Sequence, residues 1–393
     1  MALVYDDLLG HHDRVAEAIK RLQAFEPKGE TYYGAFSGGK DSQTIYHLAQ
    51  MAGVNVEWHY SLTTVDPPPL VTFLKQNYPD VIIDKTYWKS DGRGHKAGDP
   101  VTMWNLIVDR GMPPTRKARY CCEVLKETKG KGRVTVTGVR WEESANRRRT
   151  HGLVDLKGGV NRTVAKADEL GAQVKNNGRD SIILNNDNDA SRQLVEFCFQ
   201  KSKTTLNPII DWSEEDVWEF LNEVAKVPHC VLYDQGWKRL GCIGCPMANV
   251  DERRRSFEEW PTYKQAYIRA FQKMIDMKSS HRESVLAGSI AIQDESGDTP
   301  APEPRLPMET SAQQDSSMVL PPPTKIQRPE AMQDRGTTAP QVGELQVTPA
   351  AKTPPRKFSV YRFDGEASIY DVWDSNSGIS GKQMFDWFSQ GGV

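Results

Sequence analysis

The chain has 393 residues, 38% hydrophobic and 26% charged, with a formal net charge of −2; this is the composition of a largely globular protein of one to three domains. No apolar run reaches the ~18 residues a membrane helix needs, and "MALVYDDLLGHHDRV" lacks a signal-peptide design, so a cytoplasmic location is expected. Charge is uneven: Gln293–Val393 carry 9 Lys/Arg and 14 Asp/Glu, a net of −5 against +3 for the rest, a mild basicity that permits a nucleotide or nucleic-acid partner without arguing for one.

Val15, Ile19 and Leu22 recur at helical spacing, so residues 1–25 are read as one amphipathic helix. "TYYGAF" (31–36) is a β-branched and aromatic strand that runs into glycines. "DSQTIYHLAQMAG" (41–53) follows as a helix with Gly53 as its stop. "VNVEWHYSL" (54–62) and "VIID" (81–84) are predicted strands on either side of a proline-started helix. "RVTVTGVR" (133–140) is a fourth strand. Strands alternating with helices predict an α/β fold: a parallel twisted sheet with helices on both faces.

In "NPIIDWSEEDVWEFLNEVA" (207–225), Ser213 is placed to cap a helix, with Asp216 three residues on. Another helix is expected near 251–277. These elements make up a first domain at 1–290. Phe271 and Phe358 are separated by no aromatic residue, and 12 of the 24 prolines lie between 300 and 355. Such a stretch cannot bury enough apolar surface to offset its ordering entropy, so 291–356 is predicted to be a disordered linker. Residues 357–393 are aromatic-rich but too short for a robust core of their own. They are read as a small module or a peptide that docks on the main domain or a partner.

"GAFSGGKDSQT" (34–44) almost fits the Walker pattern, but Asp41 stands where Ser or Thr would hold magnesium. Gly38 and Gly39 let backbone N–H groups approach a phosphate, and the following helix brings its positive end. Lys40 adds a charge on what is expected to be an exposed loop, and Ser37 and Ser42 add hydroxyls. "SGGKDS" resembles the PP-loop of the ATP-pyrophosphatase superfamily. With it, "RYCCEVLKE" (119–127), "TGVRWEESANRR" (137–148), "NPIIDWSEEDVWEFL" and "YDQGWKRLGCIGCP" (233–246) are similar, in order, to the phosphoadenosine-phosphosulfate (PAPS) reductase family over roughly 30–250. The resemblance is strongest to its phage branch and to DNA-phosphorothioation proteins.

The resemblance implies a fold like that of adenine nucleotide α-hydrolases and a site for ATP or an adenylyl sulfate. In it Ser37, Gly38, Gly39, Lys40, Asp41 and Ser42 hold phosphate, with Mg2+ accompanying ATP, and Gly138, Arg140, Glu143, Ser144 and Arg147 line the nucleotide. Lys40, Asp41 and Arg140 are the expected catalytic groups. Asp66, in "TTVDPPPL" after the second strand, either meets the nucleotide or its metal or forms a turn before the prolines.

Six cysteines are present. "GCIGCP" is a C-x-x-C pair at a glycine turn, and together with Cys121 and Cys122 it resembles the set of cluster-bearing adenylyl-sulfate reductases. Thiolate-rich sites suit an iron–sulfur centre or zinc, so a [4Fe–4S] cluster is expected, with structural zinc as the alternative. Cys122, Cys242 and Cys245 are joined by either Cys121 or Cys230, which places the cysteine regions at 119–126 and 228–248. Cys198, in "LVEFCFQ", reads as core.

The reductases of this family attack the bound sulfur with a C-terminal cysteine, and no cysteine follows Cys245. Three functions remain open. One is ATP-dependent adenylation and thiolation; if the acceptor is a nucleic acid, Arg147–Arg149 and Arg253–Arg255 are expected to steer it. Another is reduction of an adenylyl sulfate by an external thiol or sulfur-donor protein. The last is a non-catalytic nucleotide-binding module.

Overall fold

The computed structural model describes residues 3–7, 10–89, 95–177, 180–198, 203–294 and 379–391, apart from the side chains of 281–294. The expected N-terminal helix is shorter than predicted. Val4–Asp7 (β1) and Gly10–Asp13 (β2) form an antiparallel hairpin, and the helix Arg14–Ala24 (α1) begins only after it. Gly10 takes φ +128° at the turn. Asp13 ends β2 and caps α1, accepting from Val15 N and Ala16 N at 3.0 Å. A residue with a strong capping side chain thus starts the helix just before the apolar period of Val15, Ile19 and Leu22.

Eight strands form the main sheet: β3 (Tyr32–Ala35), β4 (Val56–Ser61), β5 (Ile82–Asp84), β6 (Thr135–Val136), β7 (Val154–Lys157), β8 (Lys175–Asn176), β9 (Ser181–Leu184) and β10 (Lys203–Leu206). Their order is β5-β4-β3-β6-β10-β7-β9-β8. From β5 to β10 the neighbours are parallel, as expected for α/β. From β10 to β8 they are antiparallel, so the sheet is mixed. The predicted strand at 133–140 pairs only over Thr135–Val136, because the chain then turns in at Gly138 towards the helix that follows β3.

That helix, α2 (Lys40–Ala52), ends on Gly53 in the left-handed region at φ +67°, where a residue without Cβ is favoured. The proline-started helix is α3 (Pro68–Asn77). From β3 the chain passes through α2 to β4 and on to β5 in one direction, whereas β6 lies on the opposite side of β3. The sheet therefore has a topological switch point between β3 and β6, the place where open α/β sheets form a crevice at their carboxyl ends.

Ser213 and Asp216 form the expected capping box at the start of a helix over Glu214–Glu219, which continues as a π-helical turn over Phe220–Val224. The helix expected near 251–277 is two helices, α10 (Val250–Glu259) and α11 (Pro261–Asp294). Pro261 has no N–H to continue the first and fits the opening turn of the second. α11 runs into the start of the predicted linker; the rest of that linker lies outside the described residues.

Two apolar cores result. One lies on the sheet and includes Tyr32, Ile45, Leu48, Trp212 and Phe220. The other is built from Leu106, Ile107, Leu125, Tyr267 and Phe271, and receives Met384, Phe385 and Phe388 from a C-terminal helix, Gly381–Ser389. Among the described residues no helix is long and apolar enough to cross a membrane.

Candidate functional site

The phosphate loop joins β3 to α2. Gly38 is left-handed at φ +74°, and a Cβ there would lie 2.8 Å from Leu70 of α3. Only glycine serves, so the turn is fixed by both conformation and packing. Gly39 is the N-cap of α2 and makes no side-chain cap. Ser37 Oγ and Ser42 Oγ stand 3.1 Å apart across the turn, and Ser42 Oγ donates to Gly39 O at 2.8 Å. A helix N-terminus and two hydroxyls meet at this turn, as an anion site requires.

Lys40 is not exposed as expected; it is 5% exposed. Its ammonium donates to the Lys238 carbonyl at 3.0 Å, pairs with Glu214 at 3.3 Å, and lies over the rings of Tyr233 and Trp218. Its backbone N–H donates to the Tyr233 hydroxyl at 2.8 Å, and burial raises the pKa of that phenol. The segment from Tyr233 to Lys238 thus covers the loop.

From the other side of the switch point comes the turn after β6. A Cβ on Gly138 would lie 2.7 Å from the Asp41 carbonyl oxygen, so glycine brings this turn against the first turn of α2. Arg140 Nε then donates to Asp41 Oδ1 at 2.6 Å, and its Nη1 donates to Glu142 at 2.9 Å and to the Trp212 carbonyl at 3.3 Å. Glu143 accepts from the Arg140 N–H at 3.2 Å, binds Arg147, and lies 3.5 Å from Arg239. Ser144 caps the short helix Ala145–Thr150, accepting from Arg147 N at 3.2 Å.

Asp66 is 7% exposed, and its carboxylate accepts from the Thr63 N–H and hydroxyl, both at 2.8 Å. Asp66 thus closes a turn with Thr63.

Cys121, Cys122, Cys242 and Cys245 lie close enough to act on one another's charge. The adjoining Cys121 thiol, with Arg119 and Lys126, holds the Cys122 thiol below the usual thiol range, while Cys122 and burial push that of Cys121 above it. Burial raises Cys242, whose thiol meets Thr63 Oγ1 at 3.4 Å. Lys126 has its pKa raised chiefly by Cys242. Cys230 does not join them: it is fully buried in the sheet core, and burial raises its pKa. Among the described residues no three His, Cys, Asp or Glu side chains form a group that could hold a metal ion.

Cys198 is fully buried in the core, as expected. Of the arginine clusters, Arg148 and Arg149 are exposed. Arg253 is buried and Arg255 lies 4.3 Å over the Trp237 ring, so the second cluster is not a uniform basic face.

A family model described as the phosphoadenosine phosphosulfate reductase domain matches residues 31–248. The chain belongs to this family. An uncharacterized protein of Methanocaldococcus jannaschii is 25% identical to it over 62% of this chain and 46% of its own length. The adenosine 5'-phosphosulfate reductase of Allochromatium vinosum is 39% identical over 14% of this chain and 22% of its own. The chain spans less than half the length of these relatives. A crystal structure of PAPS reductase from Candida auris, in complex with phosphate, overlaps 57% of the chain and 88% of its own at 13% identity, with a TM-score of 0.34.

In this PAPS reductase family chain, Tyr233, Glu214, Glu142 and Lys126 are the site groups that residue patterns did not single out. Tyr233 stands at the head of "YDQGWKRLGCIGCP", and that position was the one available signal. Glu214 meets Lys40 and Lys126 meets Cys242 across segments distant in sequence, whereas Glu142 pairs with Arg140 two residues before it.

Proposed function

We propose that the chain is a PP-loop adenine-nucleotide enzyme of sulfur transfer that binds ATP or an adenylyl sulfate at the β3–β6 switch point. The observation that carries this reading is the continuity of the segment 233–245. At one end Tyr233 and Lys238 bind Lys40 of the phosphate loop. At the other, Cys242 meets Thr63 in the turn after β4. Phosphate grip and thiols are therefore borne by one short stretch at the carboxyl end of the sheet.

In this reading Ser37, Ser42 and the N–H groups of α2 hold the phosphates, and Lys40 offsets charge that develops on a departing pyrophosphate. Arg140 binds one oxygen of Asp41; the other, with Ser42, would hold a magnesium ion that accompanies ATP. Arg140 is then a positioning residue, and Arg147 is assigned to the nucleotide.

Cys121, Cys122, Cys242 and Cys245 would hold the [4Fe–4S] cluster. Four thiols beside Lys126 and Arg119 are a soft donor set of the kind that would suit an iron–sulfur cluster. When bound, the cluster would supply a redox-active centre.

The expected activity is ATP-dependent adenylation of an acceptor, a nucleic acid among the candidates, followed by sulfur insertion. The test is pyrophosphate release from ATP in the presence of DNA, tRNA or nucleosides with a sulfur donor. The local similarity to the Allochromatium reductase favours a second reading, reduction of an adenylyl sulfate to sulfite and AMP. In that reading two electrons would come from an external dithiol, which becomes a disulfide. Sulfite release with thioredoxin, without pyrophosphate release from ATP, would select that reading. Failure of ATP and of both adenylyl sulfates to raise the melting temperature overturns both.

A further inference from the structure

The helix Gly381–Ser389 meets the Cys242–Cys245 turn through two independent routes. The first is Arg253 of α10, 3% exposed. Its guanidinium donates to the Phe388 carbonyl at 2.7 Å, in the last turn of the C-terminal helix. The same guanidinium donates to the carbonyls of Cys245 at 3.3 Å, Pro246 at 2.9 Å and Ala248 at 3.3 Å. These bonds are all to carbonyl oxygens. A buried cation is costly unless its donors are satisfied, and a helix C-terminus supplies the negative end of a dipole. Removing the helix would strand the donor that Phe388 satisfies.

The second route is aromatic. Phe257 of α10 lies 4.8 Å from the ring of Phe385, and Phe388 stacks on Tyr267 of α11 at 5.4 Å. Tyr267 donates to the Ile243 carbonyl at 3.1 Å. Gly244 is left-handed at φ +69°, and a Cβ there would lie 2.4 Å from Phe257. The turn that carries both cysteines therefore rests directly on the two rings the C-terminal helix holds.

The seat is specific to this helix. A Cβ on Gly381 would lie 2.6 Å from the Ile268 carbonyl oxygen and 2.7 Å from Gln272 N, backbone atoms that cannot swing aside. The Gly381 N–H donates to Gln272 Oε1 at 2.7 Å. Gly381, Met384, Phe385 and Phe388 fall on one face at helical spacing and are buried. A peptide recognised in this way is the helix-in-groove mode of docking.

We propose that α10 and α11 form a receptor groove for the chain's own C-terminal helix, and that the docked helix, acting through Arg253, Phe257 and Tyr267, sets the conformation of the Cys242–Cys245 turn. The helix is a positioning element; none of its residues is placed at the nucleotide. This role holds whichever sulfur chemistry the site performs.

The test is amide hydrogen exchange on the full chain carrying Phe388→Ala or Gly381→Ala. Exchange over residues 242–248 is expected to accelerate several-fold while that over 37–44 stays as in the parent, and Phe388→Leu should restore most of the protection. Unchanged exchange over 242–248 in a folded Phe388→Ala protein overturns the proposal. An equal rise over 242–248 and 37–44 also overturns it, since it marks a general loss of stability. If the variants do not fold, a protease site placed between residues 300 and 355 of the otherwise unaltered chain is cut after folding. The C-terminal fragment should then co-elute with the main body; its release with no change over 242–248 again overturns the proposal. None of these readouts uses nucleotide or metal, so they stand apart from the test of the proposed function.

Discussion

Arg140 Nε donates to Asp41 Oδ1 at 2.6 Å, joining the turn after β6 to the first turn of α2. Asp41 occupies the position at which a Walker loop has Ser or Thr, and here it receives a buried guanidinium. The side chain of Arg140 is 4% exposed and that of Asp41 27%.

Asp41→Ala leaves that guanidinium without its main partner. A broken buried pair costs about 3–5 kcal/mol, and the lower end applies because Glu142 and the Trp212 carbonyl still bind Arg140. Urea denaturation should show the loss. Asp41→Ala combined with Arg140→Met should recover more than half of it, since no charge is then stranded.

Lys40 is both a packed and a charged group. Lys40→Met keeps an unbranched stem of similar length in this buried position, whereas Lys40→Ala removes stem and charge together. Lys40→Met is expected to lose nucleotide affinity about tenfold or more with a melting temperature near the parent's, because a charge-assisted hydrogen bond contributes roughly 1.5–3 kcal/mol. Lys40→Ala should lose both. Titration with ATP and adenylyl sulfates, alongside melting curves, separates the two effects.

Gly138→Ala places a methyl group 2.7 Å from the Asp41 carbonyl oxygen. The contact is with backbone, so the two turns must part, at a cost of about 1–3 kcal/mol. Nucleotide affinity should fall with it. Gly53→Ala, at the left-handed end of α2, should cost about 1 kcal/mol and leave nucleotide affinity unchanged.

Serine in place of Cys121, Cys122, Cys242 or Cys245 should lower the iron and sulfide content of anaerobically purified protein and bleach its brown colour. Cys230→Ser should retain both, because Cys230 packs in the sheet core. Iron retained in all four of the first set would remove them as ligands, and zinc in place of iron would select the alternative metal.

In metal-free protein, iodoacetamide should label Cys122 before Cys121 at neutral pH. The adjoining Cys121 thiol, Arg119 and Lys126 favour the Cys122 thiolate, Cys121 is the more buried of the two, and the thiolate is the nucleophile. Labelling of Cys122 should persist as pH falls below the ordinary thiol range, whereas Cys121 should react only on the alkaline side. Peptide mass spectrometry at a series of pH values reads both residues.

Local chemistry fixed much of this protein in its sequence. The strand–glycine–helix order around Ser37–Ser42, the proline start of α3, the Gly53 stop and the Ser213 cap depend on neighbours within a few residues, and each is where the pattern puts it. The N-terminal hairpin escaped because Val15, Ile19 and Leu22 satisfy a helical period whether or not the helix extends back to Met1. The antiparallel edge of the sheet escaped because strand direction depends on which partner a strand finds, not on its own side chains. That Cys230 packs in the sheet core while Cys121 packs in the other was likewise not legible in the cysteine spacing. The burial of Lys40 beneath Tyr233, the Arg140–Asp41 pair and the seating of the C-terminal helix on Arg253 each join residues about a hundred or more positions apart. Such contacts are set by the closing of the chain on itself, and only the tertiary structure decides them.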